Sequence, residues 1–220
     1  MPYVVAHPLC SCTPGDTCVN CRFCAPRNTQ QGRKALCEKI VHYLVLQPVY
    51  QATLAATMQV FFTNKVIYDD ERDICTMLFE AVLFEDTSAG TTPLTYFIQH
   101  APLSMDEKRL YDAWRTHTRY GLFTVESVTP GSELCLADLA GEHRYRVYEQ
   151  RGTTTIRQGS VIVARIVPFL QGWMITTESI VSFSGGGLPE RLRHAYDVAM
   201  PQLLFVQQHL ADHRRRMAGG

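Results

Sequence analysis

The chain has 220 residues and carries 21 lysines and arginines against 21 acidic residues, so it has no net charge bias. This balance excludes a histone-like nucleic-acid coat and a disordered acidic tail. Hydrophobic residues make up 46% of the chain, and a chain of this length buries roughly 70 per cent of its unfolded surface. The totals predict one large or two small globular domains that fold without covalent staples.

Six of the eight cysteines fall within the first 37 residues, in and just after the stretch HPLCSCTPGDTCVNCRFCAP. Thiols spaced this closely on Pro- and Gly-containing turns can converge on one soft cation, and zinc takes four sulfur or nitrogen ligands in a tetrahedron. The sequence therefore predicts a zinc site, first at Cys10, Cys12, Cys18 and Cys21. The full set of candidate metal ligands is Cys10, Cys12, Cys18, Cys21, Cys24 and Cys37.

Other chemistry remains open for the same thiols. Cys18, Cys21 and Cys24 have the spacing of iron-sulfur loops, with Cys37 as a possible fourth ligand. Free or redox-switching thiols are the third interpretation. Cys75 and Cys135 stand alone among apolar residues and are expected to be small buried side chains. A zinc ion with four cysteine ligands has no open position, so such a site favours a structural over a catalytic role.

The first residues, MPYVVAHPLCSC, lack the basic and long apolar regions of a secretory signal, which predicts a cytoplasmic protein. Reducing cytosol favours metal or redox chemistry over disulfides. The stretch from Ile40 to Asn64 has no acidic residue, lysine or arginine and is about long enough to cross a bilayer. Pro48 and several glutamines interrupt it, so we expect a pair of buried helices and no membrane partner.

The front half of the chain is predicted to be mostly helical. Apolar residues recur at helical spacing in LCEKIVHYLVL, after Pro48, and in DDERDICTMLFEAVLFE. Thr92 followed by Pro93 predicts the start of a short helix, and Ser104 with Glu107 forms a capping box that opens the next one.

From Gly121 the apolar period changes from 3.6 to 2. Five runs rich in β-branched and aromatic residues follow between turn-forming segments: GLFTVESV, ELCLADL, RYRVYE, SVIVARIVPF and GWMITTE. They predict a small five-stranded SH3-like barrel. The expected fold is α+β with one continuous core, comprising a cysteine-rich metal-binding segment (1–28), a helical region (29–119), the β-barrel (120–184) and a C-terminal helix with a basic tail (185–220).

The RYRVY segment suggests a surface for nucleic acid. On a strand, Arg144 and Arg146 share one face while Tyr145 and Val147 take the other. Arginines on a small barrel can follow a phosphate backbone, although an ordinary solvated face has the same pattern. The candidate nucleic-acid contacts are Arg144, Arg146, Arg151, Arg157, Arg214, Arg215 and Arg216.

Each sequence pattern that could indicate a catalytic site also has a simpler structural explanation. The acids of Asp69–Asp73, with Glu80, Glu85 and Asp86, could form a metal cluster for phosphoryl transfer. Acids at a helix N-terminus explain the first group more simply. His209 and His213 can share a helix face, but they lie in a basic tail that is best explained as solvated.

A family resemblance covers about half of the chain, from Phe79 to Ser184. It is carried by FEAVLFED, GTTPLTYFIQHAP, EKRLYDAWRTHTRYGLFTVESV, ELCLADLAGEHRYRVYE and QGSVIVARIVPFLQGWMIT. These stretches resemble uncharacterised bacterial proteins that carry a SEC-C cysteine motif. The resemblance implies a helical region, a small β-domain, a metal knuckle and no established catalytic activity. The cysteine spacing departs from the usual motif, so only Cys10 and Cys12 are carried over from it.

Together these patterns predict a metal-stabilised, non-enzymatic adaptor or binding protein, with a protein partner and nucleic acid as a further candidate. Three alternatives remain open. They are an iron-sulfur electron-transfer or redox-sensing protein, a metal-dependent hydrolase, and a protein-interaction module that uses the acid-rich stretch 66–107.

Overall fold

A computed structural model describes residues 29–52, 55, 72–139, 141–176 and 180–183. Several sequence predictions lie outside these residues. They are the cysteines from Cys10 to Cys24, most of the helix expected after Pro48, the acids Asp69–Glu71, the C-terminal helix, the two tail histidines and the arginines Arg214–Arg216.

The described front half consists of four main helices. These are α1 (Gln30–Leu44), α2 (Arg72–Glu85), α3 (Pro93–His100) and α4 (Met105–His117). A further helical stretch follows α1 at residues 48–52. Among the described helices, none combines the length and hydropathy needed to cross a bilayer.

Helix starts lie where the sequence places capping residues. The Thr92 hydroxyl accepts a hydrogen bond from the Thr95 amide at 3.2 Å, and Pro93 occupies the first turn of α3. The reciprocal bonds of the capping box are both present at α4: the Glu107 amide donates to the Ser104 hydroxyl and the Ser104 amide donates to the Glu107 carboxylate. Each satisfies a backbone donor that has no partner within the helix, so both predicted starts are confirmed.

Six strands follow among the described residues, one more than the five that the sequence predicts. They are β1 (Arg119–Thr129), β2 (Glu133–Asp138), β3 (Arg144–Tyr148), β4 (Val161–Phe169), β5 (Gly172–Ile175) and β6 (Val181–Phe183).

The first five strands form a closed barrel. Antiparallel pairing joins β1 to β2, β2 to β3, β4 to β5 and β1 to β4. A short parallel pairing between β3 and β5, with Val147 opposite Trp173, closes the ring. The short β6 continues along β4 beyond β5, with Val181 opposite Val163. The predicted α+β fold with a small barrel is confirmed.

Two apolar clusters fill the described part of the molecule. One lies inside the barrel and includes Leu134, Leu136 and Trp173. The other joins the helices to one end of the barrel, where Trp114 of α4 packs with Phe169 of β4. The indole nitrogen of Trp114 donates to the Pro168 carbonyl at 2.9 Å, so the helical layer is bonded to the barrel inside this second cluster.

One sequence expectation about the core is wrong. Cys135 is not a buried side chain but a half-buried thiol. Its neighbours Leu134 and Leu136 take the inward positions of β2, and alternation along a strand then turns Cys135 outward. The side chain of Cys75 is outside the described set.

Candidate ligand site between the helices and the barrel

A cavity of about 240 Å³ lies between α1, α2 and the end of β5. Most of its wall is apolar, and Trp114 of α4 contributes to it. The apolar lining residues include Ile40, Val41, Phe79, Leu83, Trp114, Met174 and Ile175.

Helical periodicity explains why these residues meet. Arg33, Cys37 and Ile40 of α1 are four and three residues apart and all line the cavity, so they occupy one face of the helix. On α2, Thr76, Glu80 and the neighbouring apolar positions repeat the same spacing. Both α1 and α2 therefore direct a face with polar and apolar residues toward the end of the barrel.

Polar groups that are buried or half-buried form one wall of the cavity. The Cys37 thiol donates to the Thr176 carbonyl at 2.9 Å. The Thr176 hydroxyl donates to the carboxylate of Glu80, which is only 3% exposed. This chain of contacts links α1, the strand end and α2 through hydrogen bonds, which offset the cost of removing these groups from water.

Beside this wall, Arg165 of β4 is buried at 4% exposure. Its guanidinium donates to Glu85 of α2 at 2.5 Å. Its central carbon lies 4.5 Å from the centre of the Phe84 ring and 5.3 Å from that of Tyr120. Burial raises the pKa of the Tyr120 hydroxyl, and the Glu80 carboxylate adds to the shift, so this phenol stays protonated.

The cavity mouth carries charges of both signs. Lys34 and Glu38 are neighbours on α1, with 3.6 Å between the ammonium nitrogen and a carboxylate oxygen. The Glu149 carboxylate accepts a hydrogen bond from the Gly152 amide at 2.9 Å, and Arg151 is exposed at the same rim.

Arg33 is the buried cation of the mouth, at 8% exposure. Among the described residues, its guanidinium makes no hydrogen bond and no ion pair. Burial lowers the pKa of this guanidinium, and the charge of Glu149 opposes the shift only in part.

The candidate nucleic-acid residues are dispersed or paired. Arg144 and Arg146 share the outer face of β3, as predicted, while Tyr145 and Val147 point inward. Each outer arginine has an acidic partner on another strand, which is β1, two strands away, for Arg144 and the adjacent β2 for Arg146. The Arg144 side chain donates to Glu126 at 2.6 Å, and that of Arg146 donates to Glu133 at 2.6 Å. Arg151 and Arg157 are exposed.

The described candidate metal residues do not converge. Cys37 lines the cavity, whereas Glu80 and Glu85 contact Thr176 and Arg165. Asp86 accepts a hydrogen bond from the Ser88 amide just after α2. Within the described ranges, no three His, Cys, Asp or Glu side chains are grouped so that they could hold a metal ion.

Sequence reasoning missed the cavity and the buried cations Arg33 and Arg165. A signal for Arg165 was present, because a single charge within the apolar run VIVARIV must be either exposed or paired. For Arg33, the signal was its helical spacing from Cys37 and Ile40. Neither pattern names a partner, and that of Arg165 is Glu85, 80 residues away in the sequence.

A model for a family of unknown function, DUF7986, matches residues 27–202, well over half of the chain. The chain belongs to the DUF7986 family. The comparison with curated proteins and the comparison with solved structures each give no match.

Membership of DUF7986 corrects the resemblance to SEC-C proteins, because no SEC-C domain is found. The stretches that carried the resemblance form helices followed by a small barrel. Unrelated sequences with the same hydrophobic pattern can have the same order of elements. The matched region begins at residue 27. It therefore excludes the five cysteines from Cys10 to Cys24 and includes Cys37.

Proposed function

We propose that this DUF7986 protein is a non-enzymatic binding protein whose site is the cavity between α1, α2 and the barrel. The observation that supports it is the combination of an apolar wall with a few polar groups, the buried Arg33, Glu80 and Thr176 and the half-buried Cys37. Binding sites for small molecules have this composition, in which the apolar wall supplies affinity and the polar groups set orientation.

The size of the cavity limits the ligand. An engineered apolar cavity of about 150 Å³ accepts benzene, so a space of this size accommodates roughly ten non-hydrogen atoms. Among the described polar groups, the Cys37 thiol donates to the Thr176 carbonyl and the Thr176 hydroxyl donates to the Glu80 carboxylate. These bonds hold the polar groups in fixed positions on the cavity wall, which suits the orientation of a bound ligand.

A cavity-filling variant tests this proposal. Val41 is half-buried and lines the cavity, so Val41→Phe should occupy part of the space with little disturbance of α1. The matched control is Leu46→Phe, since Leu46 is 74% exposed and lies outside the cavity. Ligand-observed NMR with a set of small aromatic and aliphatic compounds should detect binders of the wild type and of Leu46→Phe that Val41→Phe loses. A set without binders, or binding unchanged by Val41→Phe, contradicts the proposal.

For the N-terminal segment we propose structural zinc. The support is the spacing of the cysteines from Cys10 to Cys21. Cys37 donates its thiol proton to Thr176, which supports leaving it outside the first ligand set. Elemental analysis of anaerobically purified protein should find about one zinc per chain. Cys12→Ser should release it, and Cys135→Ser should retain it. Iron with sulfide would support the iron-sulfur alternative, and protein without metal would contradict both.

Nucleic-acid binding is a second proposal with weaker support. The ion pairs to Glu126 and Glu133 already neutralise Arg144 and Arg146, and phosphate contacts would have to compete with them. Titration with single- and double-stranded DNA and RNA at low salt tests it. Binding that weakens steeply with salt and with Arg151→Glu or Arg157→Glu supports it, and the absence of binding at low salt leaves the cavity as the binding site.

A further inference from the structure

Arg33 is a charged side chain of the cavity wall for which the described residues provide no hydrogen-bonded or ion-paired partner. Arg33 is more than nine-tenths buried and lines the cavity. In the described part of the chain its guanidinium has neither a hydrogen bond nor an ion pair. A buried charge is costly unless a counter-charge or hydrogen-bond partner accompanies it. The position of Arg33 therefore points to a partner that enters from the cavity.

We infer that the cavity binds a monocarboxylate with a small apolar body, whose carboxylate pairs with Arg33. This inference rests on the proposed binding function and adds the chemical class of the ligand. A guanidinium presents two parallel N–H donors that match the two oxygens of a carboxylate. Such a pair would satisfy donors of the guanidinium and neutralise its charge at once.

The neighbouring charges favour an anion with one charge. Lys34 and Glu38 already face each other at 3.6 Å, and Glu80 accepts a hydrogen bond from Thr176. Arg33 is a buried cation of the cavity wall that has no ion pair among the described residues, and Arg151 lies exposed at the rim. A dianion would place a second negative charge beside Glu80 and Glu149, where like charges repel each other. A monoanion adds a single negative charge, which the guanidinium of Arg33 can balance.

The shape of the site places the head and the tail of this ligand. Arg33 lies in the second turn of α1, close to the helix N-terminus, where the macrodipole also favours negative charge. Ile40 is seven residues further along, roughly 10 Å along the helix axis. Ile40 belongs to the apolar wall with Trp114 and Met174, so the tail would extend from Arg33 toward that wall.

Octanoate and octan-1-ol form a matched pair of probes, since they share a chain length and differ in the charge of the head. Isothermal titration calorimetry should show that the full-length wild type binds octanoate about ten- to hundredfold more tightly than octan-1-ol, the usual effect of one charge-assisted pair. Arg33→Met should remove this preference while it retains the binding of the alcohol. Arg109→Met is the control, since Arg109 is 68% exposed on α4, and it should leave both affinities unchanged.

The outcomes separate this inference from the proposed function. If wild type binds both probes equally, or if Arg33→Met keeps the preference for octanoate, the carboxylate inference is overturned while cavity binding stands. If neither probe binds, both fail.

Thermal unfolding of the free protein gives an independent measurement. Because Arg33→Met replaces an unbalanced buried charge with an apolar side chain, it should raise the melting temperature without ligand. Octanoate should then stabilise the wild type more than Arg33→Met. A variant that melts lower than wild type would show that Arg33 has a partner within the protein, and that result overturns the inference.

Discussion

The burial of Arg165 is explained by the residues that it contacts and not by its own polarity. It lies in the middle of β4, between Ala164 and Ile166, both of which are buried. From the apolar pattern of β4 alone, an apolar residue would be expected at this position. Glu85 supplies the opposite charge. The guanidinium also lies over the rings of Phe84 and Tyr120, an arrangement that cation–π attraction stabilises.

Removing this cation should destabilise the protein. Arg165→Met leaves the carboxylate of Glu85 without its partner, and we expect the free energy of unfolding to fall by about 2–3 kcal/mol. The control is Arg115→Met, which breaks an exposed pair with Asp112 at 2.9 Å and should cost less than about 1 kcal/mol. Urea denaturation measures both. Equal losses would show that the buried pair contributes no more than a surface one.

Glu107 is a second residue whose protonation is coupled to folding. Its carboxylate accepts hydrogen bonds from Lys39 at 2.8 Å and from the Ser104 amide at 3.0 Å. Although partial burial by itself raises the pKa, these contacts with Lys39 and Ser104 outweigh it and lower the pKa of Glu107 from 4.5 to about 2. The depressed pKa means that its stabilisation is present above pH 4.5 and is lost as the pH falls toward 2.

Glu107→Gln should therefore be less stable than the wild type at pH 7, by about 1–2 kcal/mol. The difference should shrink as the pH falls from 4.5 toward 2. Thermal melts across this range measure it. Asp106→Asn is the control, since Asp106 is 51% exposed and lies 4.0 Å from Arg109, and its difference from wild type should stay small throughout. A Glu107→Gln deficit that persists unchanged at low pH would contradict the assignment.

At the scale of elements, the barrel depends on the short parallel pairing of β3 with β5. Gly172 begins β5, and a Cβ at this position would lie 2.8 Å from the Arg146 carbonyl and 3.0 Å from the Tyr148 ring. Real Cβ atoms do not approach a backbone oxygen this closely. The glycine is thus required by the close approach of two strands and not by an unusual backbone angle.

Gly172→Ala should push β5 away from β3 and reduce the free energy of unfolding by about 1–3 kcal/mol, the usual cost of overpacking. Gly121→Ala provides a matched control within the same barrel, because a Cβ there has no atom within 4 Å. That variant should be as stable as the wild type or slightly more so, since alanine restricts the unfolded chain. Chemical denaturation measures the free energy of unfolding of both variants. If Gly172→Ala is as stable as the wild type, the pairing of β3 with β5 can accommodate a Cβ, which contradicts this prediction.

At the scale of the molecule, the helical layer and the barrel share packing. Trp114 reports on the cluster that joins the helices to the barrel, and Trp173 reports on the barrel interior. Because the second cluster contains both helical and barrel residues, we expect the two parts to unfold together. Fluorescence of the single-tryptophan variants Trp114→Phe and Trp173→Phe should, in each, give the same denaturation midpoint as circular dichroism of that variant. Midpoints that differ between the two probes would indicate two separate units.

Much of the fold could be predicted from the chain alone, because its determinants are local. Thr92, Ser104 and Glu107 mark helix starts through bonds to residues three positions away. The alternation in RYRVY places Tyr145 and Val147 inside for the same reason, since side chains alternate along a strand whatever it pairs with. The zinc prediction is also local, as it depends on the spacing of cysteines within one segment.

The tertiary structure alone decided the candidate site. Arg33, Glu80 and Thr176 lie on three elements that are distant in the sequence, and the cavity exists only where those elements meet. The same holds for Arg165, whose partner Glu85 is 80 residues away. Local patterns specify which face of an element is apolar, but a charge on that face acquires its role from what packs against it. Burial and pairing set the energy of a charge, and both depend on contacts between elements that no spacing along the chain encodes.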